Sequence, residues 1–195
     1  MKISSDAKKI GLCLLLSFLQ LGNAWKQEIE VPVKVQYALF LKILSFERNL
    51  KKKKGSSLKV GVVFQEKFRI SSMIEKEIRE LVGDGTAKNA TQKRIEYTQI
   101  NLDETSVQTI LENQELDVLY IAPLRAVEVS SIRDIAQKQN LVTLTGVPDY
   151  VKDGIMVGIR LKAKRPNILI NLESARASGA NFSSRLLKSA TIIKK

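Results

Sequence analysis

The chain alternates between short apolar runs and longer segments in which apolar residues recur every three or four positions. Short runs of this kind predict buried strands, and the longer spacing predicts amphipathic helices. The runs predict strands at Leu58–Phe64, Ile95–Ile100, Leu116–Ile121 and Leu141–Thr145. The recurring pattern predicts helices at Arg69–Leu81, Glu104–Asn113 and Val129–Lys138. Because strands that alternate with helices need crossover connections, we expect a three-layer, Rossmann-like α/β sandwich with a mostly parallel sheet.

The last third of the chain predicts an antiparallel hairpin at the edge of this sheet, followed by two short helices. Apolar and polar residues alternate from Ile155 to Lys162, which is typical of a strand. Lys164–Asn167 predicts a turn, and Ile168–Ile170 predicts a strand that returns antiparallel to the first. Helix caps are predicted at Asn171, before Leu172–Ala177, and at Ser183 or Ser184, before a last helix.

Several motifs in this stretch are specific enough to indicate a family. They are Gly154-Ile155-Met156, Ile170-Asn171, Ala175, Gly179 and the run Ser183–Ala190. Together they resemble the C-terminal signature of the YfiR-like family of small exported bacterial α/β proteins. The helix start at Val33–Phe40 is similar to the family's opening, so the resemblance covers the chain from about Val33 to Ile193. It implies a periplasmic regulator, such as a repressor of a membrane-bound diguanylate cyclase, or a sensory module of a signalling protein.

The first 24 residues predict a secretory signal peptide that is cleaved after Ala24. Lysines precede the apolar run Ile10–Leu21, and Gly22-Asn23-Ala24 supplies small residues before the cleavage site. The alternative is a buried N-terminal helix of a cytosolic protein. If the signal peptide is cleaved, residues 25–32 form a linker and residues 33–195 a single YfiR-like α/β domain. Cleavage removes three lysines and one aspartate, so the formal net charge falls from +12 to +10.

Two helices carry apolar residues over a broad arc. In the helix predicted at Val33–Glu47, one face is expected to dock on the sheet, and a second face holds Leu39, Ile43 and Phe46. That second face is either core or a contact with a second copy or a membrane partner. The residues that follow, Lys51, Lys52, Lys53 and Lys54, are expected to form a solvated loop or to contact anionic lipid or an acidic partner. The helix at Arg69–Leu81 is expected to turn inward Ile70, Met73, Ile74, Ile78 and Leu81.

A ligand crevice is expected where the parallel strands end, because open α/β sheets bind ligands beyond the carboxyl ends of their strands. Gln65, Arg125 and Thr145 follow or end three of the predicted strands. Arg125 could hold a carboxylate, with Gln65 or Thr145 as a hydrogen-bonding partner, which would make a site for a small anion. The alternative is that these are ordinary polar loops between strands and helices.

Missing residue types limit the chemistry. Histidine is absent and Cys13 is the only cysteine, which excludes zinc clusters, Cys–His dyads and Ser–His–Asp triads. The sequence also lacks a dinucleotide-binding glycine motif and a P-loop. We therefore expect no catalytic residue, no metal and no cofactor. The positive charge alone would favour nucleic acid, but an export signal and few aromatic residues argue against that partner.

The leading hypothesis is an exported regulatory or sensory protein. By resemblance, it would bind the extracytoplasmic part of a membrane signalling protein, of diguanylate cyclase or histidine kinase type, and modulate its output. Such a role needs no chemistry, because a surface that binds two states of the partner unequally shifts their populations. The alternative is a periplasmic module that captures a small anionic solute.

Overall fold

The computed structural model of the protein describes residues 29–83 and 93–194. In chain order these residues form α1 (Val33–Leu44), α2 (Arg48–Lys52), β1 (Ser57–Phe64), α3 (Arg69–Gly83), β2 (Arg94–Asn101), α4 (Val107–Asn113), β3 (Val118–Ile121), α5 (Val129–Lys138), β4 (Val142–Thr145), α6 (Pro148–Lys152), β5 (Val157–Lys162), β6 (Arg165–Asn171), α7 (Leu172–Ala177), α8 (Ser184–Ser189) and β7 (Thr191–Ile193). The predicted signal peptide and residues 25–28 of the predicted linker lie outside the described residues.

The described strands form one seven-stranded sheet in the order β2-β1-β3-β4-β5-β6-β7. All pairs among strands β1 to β5 are parallel. Parallel neighbours need crossover connections, and the helices between these strands supply them. Strand β6 pairs with β5 in antiparallel orientation, and β7 runs parallel to β6. The mostly parallel sheet with an antiparallel C-terminal hairpin confirms the predicted α/β class.

Apolar residues cover both faces of the sheet. On one face, Ile43 of α1 and Ile74 of α3 belong to the same buried cluster. On the other face, Val107 of α4 joins Ile132 and Ala136 of α5 in a second cluster. Each helix buries one apolar stripe against the sheet, which is how amphipathic helices are stabilised in this class of fold. Helices on both faces confirm the predicted three-layer sandwich.

The parallel strands give the sheet two different ends. We call the carboxyl end the one at which β1, β3, β4 and β5 finish, and the amino end the one at which they begin. Gln65 and Arg125 lie beyond strands at the carboxyl end, as does the turn between β5 and β6. Asp117, immediately before β3, lies at the amino end together with α2, which precedes β1.

The prediction for the first helix is wrong at its C-terminal end. Helix α1 ends at Leu44, and the Glu47 side chain instead caps α2 by accepting a hydrogen bond from Leu50 N–H at 2.5 Å. Lys51 and Lys52 lie in α2, so the loop predicted for the lysine run is also wrong at its start. A buried carboxylate at a helix start satisfies a backbone N–H that would otherwise lack a partner.

In the second half of the chain, one predicted turn is displaced and two short elements were not predicted. The turn predicted at Lys164–Asn167 lies one residue earlier, because Ala163 and Lys164 adopt φ values of 50° and 60° and β6 begins at Arg165. Helix α6 and strand β7 were not predicted. Both are short, and β7 is a three-residue edge strand whose pattern is too brief to indicate a strand.

Candidate functional site

The crevice expected at the carboxyl end of the sheet would lie between β1 and β3, which are neighbours in the sheet. From β1 the chain passes through α3, whose buried residues Ile74 and Ile78 cover one face of the sheet. From β3 it passes through α5, whose Ile132 and Ala136 cover the other face. The two connections leave neighbouring strands in opposite directions, which is the topological switch point where open α/β sheets bind ligands. Gln65 and Arg125 lie at this switch point.

Gln65 connects the loop that follows β1 to the loop that follows β3. Its Oε1 accepts a hydrogen bond from Arg125 N–H at 2.7 Å, and its Nε2 donates to the Arg125 carbonyl at 3.2 Å. The side-chain amide thus pairs with both backbone polar groups of the residue opposite. The structure brings together these two predicted site residues, but both polar groups of the Gln65 amide are already engaged within the chain.

The Arg125 guanidinium rests on an aromatic ring. Its central carbon lies 4.2 Å from the centre of the Phe68 ring, a distance at which the ring quadrupole attracts a cation. Arg125 is exposed and forms no ion pair with a described residue. The stacking fixes one face of the guanidinium and leaves its N–H donors available. An incoming carboxylate, from a solute or from an acidic side chain of another protein, could therefore pair with it.

Thr145 has a different role from its two predicted companions. Its side chain is 0% exposed, and its Oγ1 donates to the Ile121 carbonyl at 2.9 Å while it accepts from Val147 N–H at 3.1 Å. These bonds tie the end of β4 to the end of β3. Because the hydroxyl is buried and used in both directions, the structure separates Thr145 from the exposed crevice that Gln65 and Arg125 share.

The loops around the crevice are held by side chains from several elements. Lys67 N–H donates to Asp103 at 2.8 Å, and Gln65 N–H donates to Ser71 Oγ at 3.0 Å. On the other side, Leu124 N–H donates to the Tyr150 hydroxyl at 2.8 Å, and burial raises the pKa of that hydroxyl. A loop fixed in this way loses little conformational freedom when it binds, so the surface is organised in advance.

An exposed apolar pair lies at the start of α3, the helix that follows Gln65 and Phe68 in the chain. Ile70 is 45% exposed and Met73 is 57% exposed, which corrects the prediction that both point inward. Residues three and four apart share one side of a helix, so Met73 lies on the same side as Glu77 and Glu80. These two glutamates were the sequence signal that this side of α3 faces solvent. Because Ile70 and Met73 were predicted to point inward and Phe68 was not considered, all three were missed as candidate site residues.

The second predicted surface, on α1 and the lysine run, is only partly exposed. Ile43 is 1% exposed and belongs to the core, so it cannot contact a partner in the folded protein. Leu39 and Phe46 are half-buried and pack against the same core. All four lysines are exposed, and Lys53 is also paired with Asp117. An interface through the remaining residues stays a prediction.

The described residues lack clusters for metal binding and helices for membrane spanning. Within residues 29–83 and 93–194, no cluster of three or more acidic, histidine or cysteine side chains could hold a metal ion. In the same part of the chain, none of the helices combines the length and the apolar character that a membrane span requires. What the carboxyl end presents is a stacked cation, an exposed apolar pair and rigid loops, which is suited to binding.

A family model described as YfiR/HmsC-like matches residues 34–191. The chain belongs to this family. The match starts within α1 and ends at the start of β7, so it covers both cores and the carboxyl end described above. It confirms the family resemblance and supports a periplasmic regulatory protein in general.

Solved structures share the fold of this YfiR/HmsC-like chain at low sequence identity. A conserved domain protein from Vibrio cholerae is 15% identical with a TM-score of 0.58, over 84% of this chain and 60% of its own. An ABC domain in complex with L-Trp from Streptococcus pneumoniae is 10% identical with a TM-score of 0.58, over 82% and 60%. A substrate-binding protein with adhesive properties from Clostridium difficile is 14% identical with a TM-score of 0.58, over 85% and 60%.

The chain spans about 60% of the length of these structural neighbours. At such identities the likeness concerns the fold alone. No functionally curated protein matches the sequence.

Proposed function

We propose that this protein is a periplasmic regulator that binds the extracytoplasmic part of a membrane signalling protein and changes the output of its cytoplasmic domain. The partner would be of diguanylate cyclase or histidine kinase type. The observation that carries the proposal is the YfiR/HmsC-like family match over residues 34–191. The carboxyl end of the sheet supports it, because this end presents a stacked cation, an exposed apolar pair and fixed loops, which are features suited to binding.

We further propose that the partner contacts the surface formed by Phe68, Ile70, Met73 and Arg125, which we call the crevice surface. Exposed Ile and Met side chains favour contact with apolar groups of another protein. The Arg125 guanidinium, stacked on Phe68 two residues before Ile70, would pair with an acidic side chain of the partner. An apolar contact flanked by a preorganised arginine is typical of the centre of a protein interface.

Regulation follows from unequal binding to two states of the partner. If the crevice surface binds one state about 100-fold more tightly than the other, it shifts their equilibrium by about 2.7 kcal/mol, since each factor of ten is worth about 1.4 kcal/mol. The regulator itself need not change shape. This fits a domain whose crevice loops are fixed by hydrogen bonds from Ser71, Asp103 and Tyr150.

The proposal is tested by deleting the gene and measuring cyclic di-GMP, together with phosphorylation of any histidine kinase encoded beside it. We expect one of these outputs to change and to return when the full-length chain is restored. A chain without residues 2–24 should fail to restore it, because the protein would stay in the cytoplasm. If both outputs are unchanged by deletion, the regulatory proposal is wrong.

Capture of a small anionic solute is the second candidate function. The Arg125 guanidinium, stacked on Phe68 without an ion pair among the described residues, favours it. A thermal-shift screen of small carboxylic acids would find stabilising compounds whose effect disappears in Arg125→Gln. Hits that persist in that variant would move the solute site elsewhere, and an absence of hits would leave regulation by protein contact alone.

A further inference from the structure

The hairpin of β5 and β6 extends past the rest of the sheet at the carboxyl end. Strand β4 pairs with β5 only at Val157 and Gly158, and β7 pairs with β6 only from Leu169 onward. Beyond those contacts, β5 and β6 pair only with each other, down to Lys162 opposite Arg165. We call residues 160–167 the ribbon.

The two faces of the ribbon differ in character. Cross-strand partners share a face, and successive residues alternate between faces. Arg160, Lys162, Arg165 and Asn167 therefore lie on one face, and Leu161 lies opposite Pro166 on the other face. Leu161 is 42% exposed and Pro166 is exposed too, so an apolar pair and a group of cations reach solvent together at the tip.

The charge on the ribbon is not neutralised by the rest of the described chain. Lys162 and Arg165 lie directly opposite each other, a like-charge pairing that is unfavourable in an isolated hairpin. Lys164, in the turn, adds a further cation. No ion pair joins the ribbon's cations to a described residue, and the carboxylate that reaches the ribbon, Glu30, accepts a hydrogen bond from Leu161 N–H at 2.6 Å.

The turn adds a second unfavourable feature. Ala163 and Lys164 both have positive φ values, of 50° and 60°. Consecutive residues with positive φ form a tight turn of the kind that strongly prefers Asn and Gly, because a side chain crowds the backbone there. Ala163 and Lys164 occupy these two positions instead. The tight turn at the tip of the ribbon therefore presents a lysine, where an uncharged Asn or Gly would favour folding.

We propose that the ribbon docks on an anionic phospholipid bilayer. Such a surface supplies partners for the cations that form no ion pair within residues 29–83 and 93–194, and each lysine or arginine near it gains attraction within the Debye length. The apolar region just beneath the headgroups would accept Leu161 and Pro166, as it does for other amphipathic segments that lie at the interface. The ribbon extends beyond the neighbouring strands and carries both groups at its tip, so the tip can approach a flat surface end-on.

The test is co-sedimentation of the purified protein, in the form in which cells accumulate it, with lipid vesicles. Phosphatidylglycerol-containing vesicles supply anionic headgroups, and phosphatidylcholine vesicles are the neutral comparison. We expect binding to the first and not the second, weakened by added salt. The variant Lys162→Gln/Lys164→Gln/Arg165→Gln should bind the anionic vesicles about 100-fold less tightly, as expected for the loss of three surface-facing cations.

A matched variant separates the ribbon from net charge. Lys51→Gln/Lys52→Gln/Lys54→Gln removes the same charge from exposed residues near the amino end, and it should keep binding within about threefold. Leu161→Ser keeps every charge and should weaken binding about three- to tenfold through lost apolar contact. Equal losses in the two triple variants, or no binding by the unmodified protein, would overturn the proposal.

The inference is independent of the proposed function. The vesicles contain no protein, so failure of the lipid experiment leaves the regulatory proposal untouched. An unchanged signalling output after gene deletion would likewise leave the vesicle result standing. If the unmodified protein does not bind anionic vesicles, an acidic protein surface becomes the better candidate for the partner that the ribbon contacts.

Discussion

The two ends of the sheet use their charged side chains in opposite ways. At the amino end, Asp117 is paired with Lys53 and also accepts a hydrogen bond from Lys59 N–H at 2.9 Å. Glu47, in the same region, accepts from two backbone N–H groups. At the carboxyl end, Arg125 stacks on Phe68 and pairs with no described acid. The buried acids at the amino end therefore hold the fold together, whereas the Arg125 guanidinium at the carboxyl end remains available for binding.

Cavity size alone would favour the amino end over the carboxyl end that we propose as the binding surface. A cavity of about 350 Å³ lies at the amino end, lined by Glu47, Asn49, Lys53, Asp117 and Asn140 among others. Its carboxylates already accept backbone and lysine hydrogen bonds, and Asn49 donates to the Gly179 carbonyl at 2.9 Å. A ligand there would have to compete with bonds that secure the fold. We therefore base the proposed binding surface on unpaired groups and not on cavity volume.

The largest expected effect at the amino end comes from Glu47→Ala. Glu47 is 1% exposed and accepts hydrogen bonds from Leu50 N–H at 2.5 Å and Asn181 N–H at 2.6 Å. Its loss leaves the buried Leu50 N–H and the partly buried Asn181 N–H without a charged acceptor and should lower the free energy of unfolding by about 3 kcal/mol. Urea denaturation measures this. Glu128→Ala is the matched control, because Glu128 precedes α5 without a capping side-chain bond, and it should change stability by less than about 0.5 kcal/mol.

A smaller loss is expected for Asp117→Asn. The amide keeps an acceptor for Lys59 N–H but loses the charge that pairs with Lys53. The free energy of unfolding should fall by about 1.5 kcal/mol. Glu115→Gln is the comparison, since Glu115 and Lys59 form an exposed pair at 3.9 Å that should contribute almost nothing. Equal losses in the two variants would show that the amino end is not specially stabilised by its buried acid.

At the carboxyl end, Tyr150→Phe should cost about 1 kcal/mol, because the Leu124 N–H loses its acceptor. Burial raises the pKa of Tyr150 above its ordinary value of about 10. The phenol therefore contributes stability that is complete below about pH 10 and is lost as the pH rises through the folded-state pKa. Denaturation at increasing pH should show a smaller alkaline loss in the variant.

Tyr37→Phe is the control for that experiment. The Tyr37 hydroxyl is buried without a hydrogen-bond partner in the described part of the chain, so removing it should be neutral or stabilising at neutral pH. If Tyr37→Phe destabilises the protein as much as Tyr150→Phe, the hydrogen bond to Leu124 does not explain the effect.

The smallest effect on stability is expected for Ile70→Ser/Met73→Ser. Both side chains are largely exposed, so the free energy of unfolding should stay within about 0.5 kcal/mol of the unmodified protein. Regulation of the signalling output should nevertheless be lost, because the crevice surface loses its apolar contact. Urea denaturation and the gene-restoration assay give the two readings. A large loss of stability, or full regulation, would contradict the division between the two ends.

The strands and long helices were predictable because their apolar spacing is local. The helix α5 was predicted with its observed bounds, and Asn171 and Ser183 cap α7 and α8 as expected. Side-chain hydrogen bonds across the fold were not predictable. Glu47 caps α2 through the nearby Leu50 N–H, but it also accepts a hydrogen bond from Asn181 N–H, 134 residues away in the chain, and no local pattern encodes that partner.

The candidate site was predictable only in its location. The order of elements indicated the carboxyl end, where Gln65 and Arg125 meet. It could not indicate that the Gln65 amide would be engaged by Arg125 or that Thr145 would be fully buried, since both depend on the spacing of neighbouring strands. The exposure of Ile70 and Met73 was misread because an inward stripe was assigned without regard to the glutamates on the same side of α3.

The central claim, that a membrane signalling protein is bound at the carboxyl end, is tested most directly by photo-cross-linking in living cells. A photoreactive amino acid is placed at Met73 in one variant and at Lys52, near the amino end, in another. Cross-linked products are then identified by mass spectrometry. The account predicts a cross-link from position 73, and none from position 52, to the extracytoplasmic part of a membrane signalling protein. A cross-link to such a protein from position 52 alone, or from neither position, would contradict it.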